Sequence, residues 1–114
     1  MADLLVDTDV LIDHLRGRRH FTPAGDAFYS VVTRAELFAG SDADEAGLRR
    51  LLAPFGELPV DRSVAEVGGR VRRDVGLALP DALIAATAIS RGLTLMSRNR
   101  RHFERVPGLR LLAP

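Results

Sequence analysis

The chain begins with an unbroken apolar run, Leu4-Leu5-Val6, that stops at an acid, Asp7. A stretch apolar at every position reads as a strand covered on both faces, so a buried strand is predicted over about residues 3–7. From Thr8 to Arg16 the pattern turns helical, with Val10, Leu11, His14 and Leu15 on neighbouring faces, and Gly17-Arg18-Arg19-His20 ends that helix. Residues 22–26 form a loop, and Ala27–Val32, rich in aromatic and β-branched side chains, predicts a second strand. A short helix follows from Thr33 to Ala39, closed by Gly40, and another begins at Asp42 or Asp44 with Leu48, Leu51, Leu52 and Phe55 as its apolar side.

Leu58-Pro59-Val60 is a weak third strand, which its proline confines to a sheet edge. Ser63 starts a helix in which Val64, Val67, Val71 and Val75 recur at helical spacing. Gly68-Gly69 inside it costs roughly 1 kcal/mol per glycine, which implies close backbone packing there. Pro80-Asp81 opens a helix over Ala82–Ser90, apolar nearly all round and therefore buried. Arg91-Gly92 ends it, Leu93–Met96 is a fourth strand, and Leu109–Leu112 is the candidate for a fifth. Strands alternating with helices imply an α/β fold with a mostly parallel sheet covered on both faces.

A length of 114 residues allows one domain, residues 1–114, long enough for a single hydrophobic core but not for two. Absence of cysteine excludes thiolate metal sites and cysteine nucleophiles and fits a reducing compartment, so a cytoplasmic location is expected. No apolar run is long enough to span a bilayer and no leader pattern stands at Met1; membrane association is not expected. All sixteen basic residues are arginine, the better fork for phosphate, although GC-rich codon usage explains that bias equally well. The missing lysine rules out chemistry that needs a catalytic lysine.

Three acids occupy equivalent places in this plan. Asp7 ends the first strand, Glu36 lies one turn past the second, and Asp81 is in the first turn of the helix before the fourth. Asn99 follows the fourth strand in Ser97-Arg98-Asn99-Arg100. Open α/β sheets place their sites outside the carboxyl ends of the strands. If the first and fourth strands are neighbours, all four residues converge there, and an oxygen-only cluster suits Mg²⁺ or Mn²⁺. Without an ion, such carboxylates repel, and one or more should have a raised pKa. Each acid also has a purely structural reading. Thr33-Arg34-Ala35-Glu36 fits a capping box, as does Ser63-Val64-Ala65-Glu66; Asp7 fits a helix N-cap; Asp81 fits dipole compensation after Pro80. Asp9 and Asp13 share a helix face, Asp9 as support for the site and Asp13 as a solvated residue.

Read in order, four segments resemble the PIN-domain nucleases, and among them the VapC-type toxins of bacterial toxin–antitoxin pairs. They are Leu-Leu-Val-Asp-Thr-Asp-Val-Leu-Ile-Asp at 4–13, Ser30 through Glu36 to Gly40, Pro80-Asp81-Ala-Leu-Ile-Ala-Ala-Thr-Ala, and Leu95-Met-Ser-Arg-Asn99-Arg-Arg-His-Phe103. The resemblance spans the chain. It implies a three-layer α/β/α fold, with a mostly parallel four- to five-stranded sheet and the first strand between the second and fourth. It further implies a Mg²⁺- or Mn²⁺-dependent endoribonuclease, acting on RNA such as transfer RNA, silenced by a cognate antitoxin and working as a homodimer.

By the same resemblance, Asp7, Glu36 and Asp81 are the metal-binding acids, and Asn99 stands at a fourth, ordinarily acidic position. Another position where many relatives carry an acid holds His102. These departures imply one well-held ion and weaken the case for a second. Either Glu36, or Asp81 through a water, would take the proton from the attacking water. Arg98, Arg100, Arg101, Arg105 and Arg110 are candidate phosphate contacts, or else a solvated face or an antitoxin dock. Tyr29 is read as core or dimer interface, with base stacking as the alternative. Asp7-Thr8-Asp9 also fits the opening of dehalogenase-type phosphatases, which, like response-regulator receivers, need a lysine this chain lacks. The remaining alternative is a degenerate PIN domain that binds RNA or antitoxin without cutting.

Overall fold

The computed structural model describes residues 3–17 and 26–114. The strand β1 (Leu4–Val6) leads into α1 (Thr8–Leu15), then β2 (Ala27–Ser30), α2 (Val31–Phe38), α3 (Glu45–Leu52) and β3 (Gly56–Leu58). The second half runs α4 (Arg62–Val75), α5 (Leu79–Arg91), β4 (Thr94–Met96), α6 (Arg100–Phe103) and β5 (Leu111–Leu112). All four strand pairings are parallel, in the order β3-β2-β1-β4-β5. This is the expected α/β/α arrangement with β1 at the centre, between β2 and β4. Residues 18–20 of the predicted turn and 22–25 of the predicted loop lie outside the described residues.

The period-two alternation of strand side chains splits the core into two layers. Leu5 and Leu95 face α4, α5 and α6, packing with Val71, Leu77, Ile84, Ala85, Ala88 and Phe103. Leu4, Val6 and Met96 face α1, α2 and α3, packing with Val10, Leu11, Leu37, Leu48 and Leu52. Tyr29 belongs to this second layer and is 2% exposed, so it is a core residue and offers no face to a base. Close packing within α4 is confined to one of its two glycines. A Cβ at Gly68 would lie 2.6 Å from Leu83 Cδ2 on α5 and 3.4 Å from its Cα, whereas Gly69 faces open space.

Several boundaries differ from expectation for local reasons. The second strand stops at Ser30, because its hydroxyl accepts from the Val32 amide and starts α2 two residues before Thr33. Val31 and Val32, β-branched as they are, are therefore helical. The third strand ends at Leu58, just before Pro59, and forms the sheet edge. Asp61 rather than Ser63 caps α4, accepting from Val64 N at 2.9 Å. Neither predicted capping box forms. The four-residue α6 is too short for any periodicity to announce it.

Candidate active site at the carboxyl edge of the sheet

The chain leaves β1 to one side toward β2 and returns on the other side as β4, so the crevice past the ends of β1 and β4 is the switch point of this sheet. Asp7 sits there. Its backbone amide donates to Met96 O at 2.9 Å, tying it to the end of β4. One carboxylate oxygen accepts from Thr8 N at 2.8 Å, which makes Asp7 the N-cap of α1; the other accepts from the Ser97 hydroxyl at 2.8 Å. The capping and site readings of Asp7 are thus compatible. The residue is 5% exposed. Burial, aided by the nearby charges of Asp9 and Asp81, raises its pKa from 3.8 to about 7 against the pull of its two hydrogen bonds.

Thr8 connects this acid to the next. Its hydroxyl donates to Glu36 Oε1 at 2.7 Å and shares a 2.9 Å contact with the Thr33 hydroxyl. Since the Thr8 proton goes to the carboxylate, Thr33 is the donor in that contact. Thr33 is fully buried, so the two hydroxyls form a fixed relay ending on the exposed Glu36. Glu36 lies in the second turn of α2, pointing away from any cap, which removes its structural reading.

Asp81 lies in the first turn of α5, after a Pro at the helix start and with no side-chain cap. Its Oδ2 is 3.1 Å from His102 Nε2. His102 is carried by α6, which the buried Phe103 anchors in the core and a His102 N to Asn99 O bond of 3.1 Å begins. Asn99 itself is exposed; its backbone amide donates to the Ser97 hydroxyl oxygen at 2.9 Å, and its side chain does not cap α6. Ser97 therefore joins the Asn99 loop to Asp7.

The arginines divide into two groups. Arg98 reaches Asp13 at 3.1 Å and Asp9 at 3.7 Å, and Arg110 donates to Gly92 O at 2.7 Å. Arg100, Arg101 and Arg105 stay exposed beside the site. Asp13, expected as a solvated residue, is 4% exposed, because Arg98 from the far end of the chain covers it. Burial also raises the pKa of Asp9, against the lowering effect of Arg98. Thr8 and Ser97 carry much of the geometry, yet isolated hydroxyls have no pattern to mark them in a sequence.

Among the described residues, no group of three or more Asp, Glu or His side chains stands as a ready metal cage. The three acids do not jointly grip one point, since each is drawn to its own donor: Asp7 to Ser97 and Thr8 N, Glu36 to Thr8, Asp81 to His102. A looser site does fit. Mg²⁺ commonly takes one or two carboxylates and keeps its waters. Asp7 is held against its own charge beside Asp81, and Asp9 Oδ1 is buried without a hydrogen-bond partner. Arg98 offsets these charges only at Asp9 and Asp13.

With this fold and this edge of acids, the chain belongs to the PIN-domain family, whose model matches residues 4–109. Within the family it is similar to ribonuclease VapC10 of Mycobacterium tuberculosis, 41% identical over 113 residues covering 88% of this chain and 85% of that protein. It is also similar to the tRNA(fMet)-specific endonuclease VapC of Salmonella typhimurium, 29% identical with 97% of each chain covered. A chain in the structure of a toxin–antitoxin complex from Klebsiella pneumoniae superposes with a TM-score of 0.80 at 31% identity, over 96% of this chain and 95% of that one.

Proposed function

We propose that the protein is an endoribonuclease of the VapC type, the toxin of a toxin–antitoxin pair, with Asp7 and Asp81 holding a Mg²⁺ or Mn²⁺ ion. The observation that carries the reading is Asp7: a carboxylate at the exit of the central strand, buried, pushed up to about 7, and close to two further acids. Among the described residues no ion pair to Asp7 forms; Arg98, just past β4, is turned to Asp9 and Asp13.

When bound, the divalent ion supplies charge neutralisation at the phosphodiester and an acidified water. Ser97 and the Thr8 amide fix the Asp7 carboxylate so that it cannot swing away. The Thr33–Thr8 relay holds Glu36 as a hydrogen-bonded anion, which takes the proton from the attacking water. Arg100 and Arg101, exposed on α6, contact phosphates of the RNA. Residues 1–114 form one PIN domain, working in the cytoplasm as a homodimer and neutralised by a cognate antitoxin; no helix among the described residues is long and apolar enough to cross a membrane.

The test is cleavage of transfer RNA by the purified protein with MnCl₂, resolved on a denaturing gel. Wild type yields discrete fragments and Asp81→Asn yields none. Equal cleavage by the two would overturn the assignment, and tight RNA binding without cleavage by wild type would identify a degenerate, binding-only domain.

A further inference from the structure

We propose that Arg98 is a further RNA-contact residue: a guanidinium held at the rim of the crevice by the buried Asp13, where it receives a phosphate flanking the cleaved bond. This rests on the endoribonuclease reading above and adds one positioned cation to it.

The backbone fixes where Arg98 stands. It follows Ser97, whose hydroxyl donates to Asp7 Oδ2 at 2.8 Å, and precedes Asn99, whose amide donates to Ser97 Oγ at 2.9 Å. The Arg98 amide itself donates to the Asp9 carboxylate. Arg98 is thus one position from the group that holds the central acid, pinned between the end of β4 and α1. Its side chain reaches Asp13 through Nη1 at 3.1 Å and Asp9 through Nε at 3.7 Å.

Exposure separates the three charges. The side chains of Asp13 and Asp9 are 6% and 26% exposed, whereas that of Arg98 is 46% exposed. The acids lie beneath the guanidinium, and an approaching phosphate meets the cation first. Arginine carries five N–H donors in a rigid fork, so one group can serve a carboxylate and a phosphate together. Here the ion pairs are made by Nη1 and Nε, which leaves the two N–H groups of Nη2 for the anion.

Stability alone does not account for the pair. Asp13 Oδ1 is buried without a hydrogen-bond partner, and an apolar residue there would suit the fold better than a half-satisfied acid. What Asp13 provides is an anchor. A long side chain already held in place loses less freedom when its ligand binds.

The experiment is fluorescence anisotropy of labelled transfer RNA with the intact protein in EDTA, so that cleavage does not intervene, between about 50 and 200 mM NaCl. The informative variant is Asp13→Asn/Arg98→Gln, which removes one charge of each sign and so leaves the net charge unchanged and no buried charge orphaned. Its plot of log affinity against log salt should be shallower than wild type by about 0.7–0.9, the loss of one phosphate contact. Affinity should then fall on the order of tenfold at the low-salt end and about threefold at the high-salt end. Asp13→Asn/Arg98→Lys should restore the slope. Equal slopes for wild type and the Gln variant, or a loss that Lys does not restore, overturn the inference and leave the endoribonuclease reading standing. Phenylglyoxal footprinting of the wild type, read by mass spectrometry, decides the matter even if a variant folds poorly. Arg98 should be modified in the free protein and protected by RNA; modification unchanged by bound RNA overturns the inference. A wild type that binds transfer RNA neither in EDTA nor with MnCl₂ overturns both.

Discussion

The apolar face of the sheet under α4 and α5 and the carboxyl edge are built by different rules. Toward α4 and α5 the core is sealed by Leu, Ile, Val, Ala and Phe103, and the buried hydroxyl of Thr87 is satisfied within its own helix by Leu83 O. Toward the carboxyl edge, Asp7, Thr8, Asp13, Ser30, Thr33 and Ser97 are all buried. Their hydrogen bonds run between elements far apart in sequence, such as Ser97 to Asp7 and Thr8 to Glu36. The difference shows where the fold is arranged for stability and where it is arranged for chemistry. The apolar layer tolerates no charge, whereas the edge holds an acid that folding alone would prefer neutral.

The largest effect expected from this contrast is at Asp7. Asp7→Asn should reduce RNA cleavage on the order of 100-fold or more, as loss of a group stabilising transition-state charge does. Without metal, the same variant should melt higher than wild type at pH 7.5, because it removes an ill-placed charge. The sign follows from linkage. A carboxyl whose pKa is about 7 folded and 3.8 unfolded favours the folded state below the unfolded value, and that contribution is lost as pH rises through the folded one. The wild-type minus Asn difference in unfolding free energy should therefore decline by on the order of 3 kcal/mol between about pH 4 and pH 8, measurable by urea titration at fixed pH.

On the apolar side the effects are smaller and blind to metal. Gly68→Val pushes a branched side chain into Leu83, 2.6 Å from where its Cβ would stand, and should cost about 2 kcal/mol while leaving Mn²⁺ affinity unchanged. A loss of affinity there would mean that the two sides are not independent. One residue on, Gly69 faces open space in the same helix. Gly69→Ala should stabilise by roughly 0.5–1 kcal/mol, a rise of a few degrees in melting temperature.

The sequence is most informative where a pattern repeats. The all-apolar Leu4–Val6, the valine row of α4 and the apolar α5 gave their elements directly, and Asp44 stood at the start of α3 as a cap should. The order of strands around β1 came instead from the resemblance of four spaced motifs, since local periodicity does not encode which strand lies beside which. Features made by one-off contacts were not legible. Ser30 overrode the β propensity of Val31 and Val32 by capping a helix. Arg98 buried Asp13 across 85 residues of chain. Thr8, in a run of apolar and acidic residues, and Ser97, between Met96 and Arg98, are lone hydroxyls that hold the acids in place.

Anomalous diffraction at the manganese edge from crystals soaked in MnCl₂ tests the central claim most directly. The account predicts a peak between the Asp7 and Asp81 carboxylates at the exit of β1, absent from Asp7→Asn crystals. A peak elsewhere on the molecule, or one at this position that persists in the variant, would contradict it.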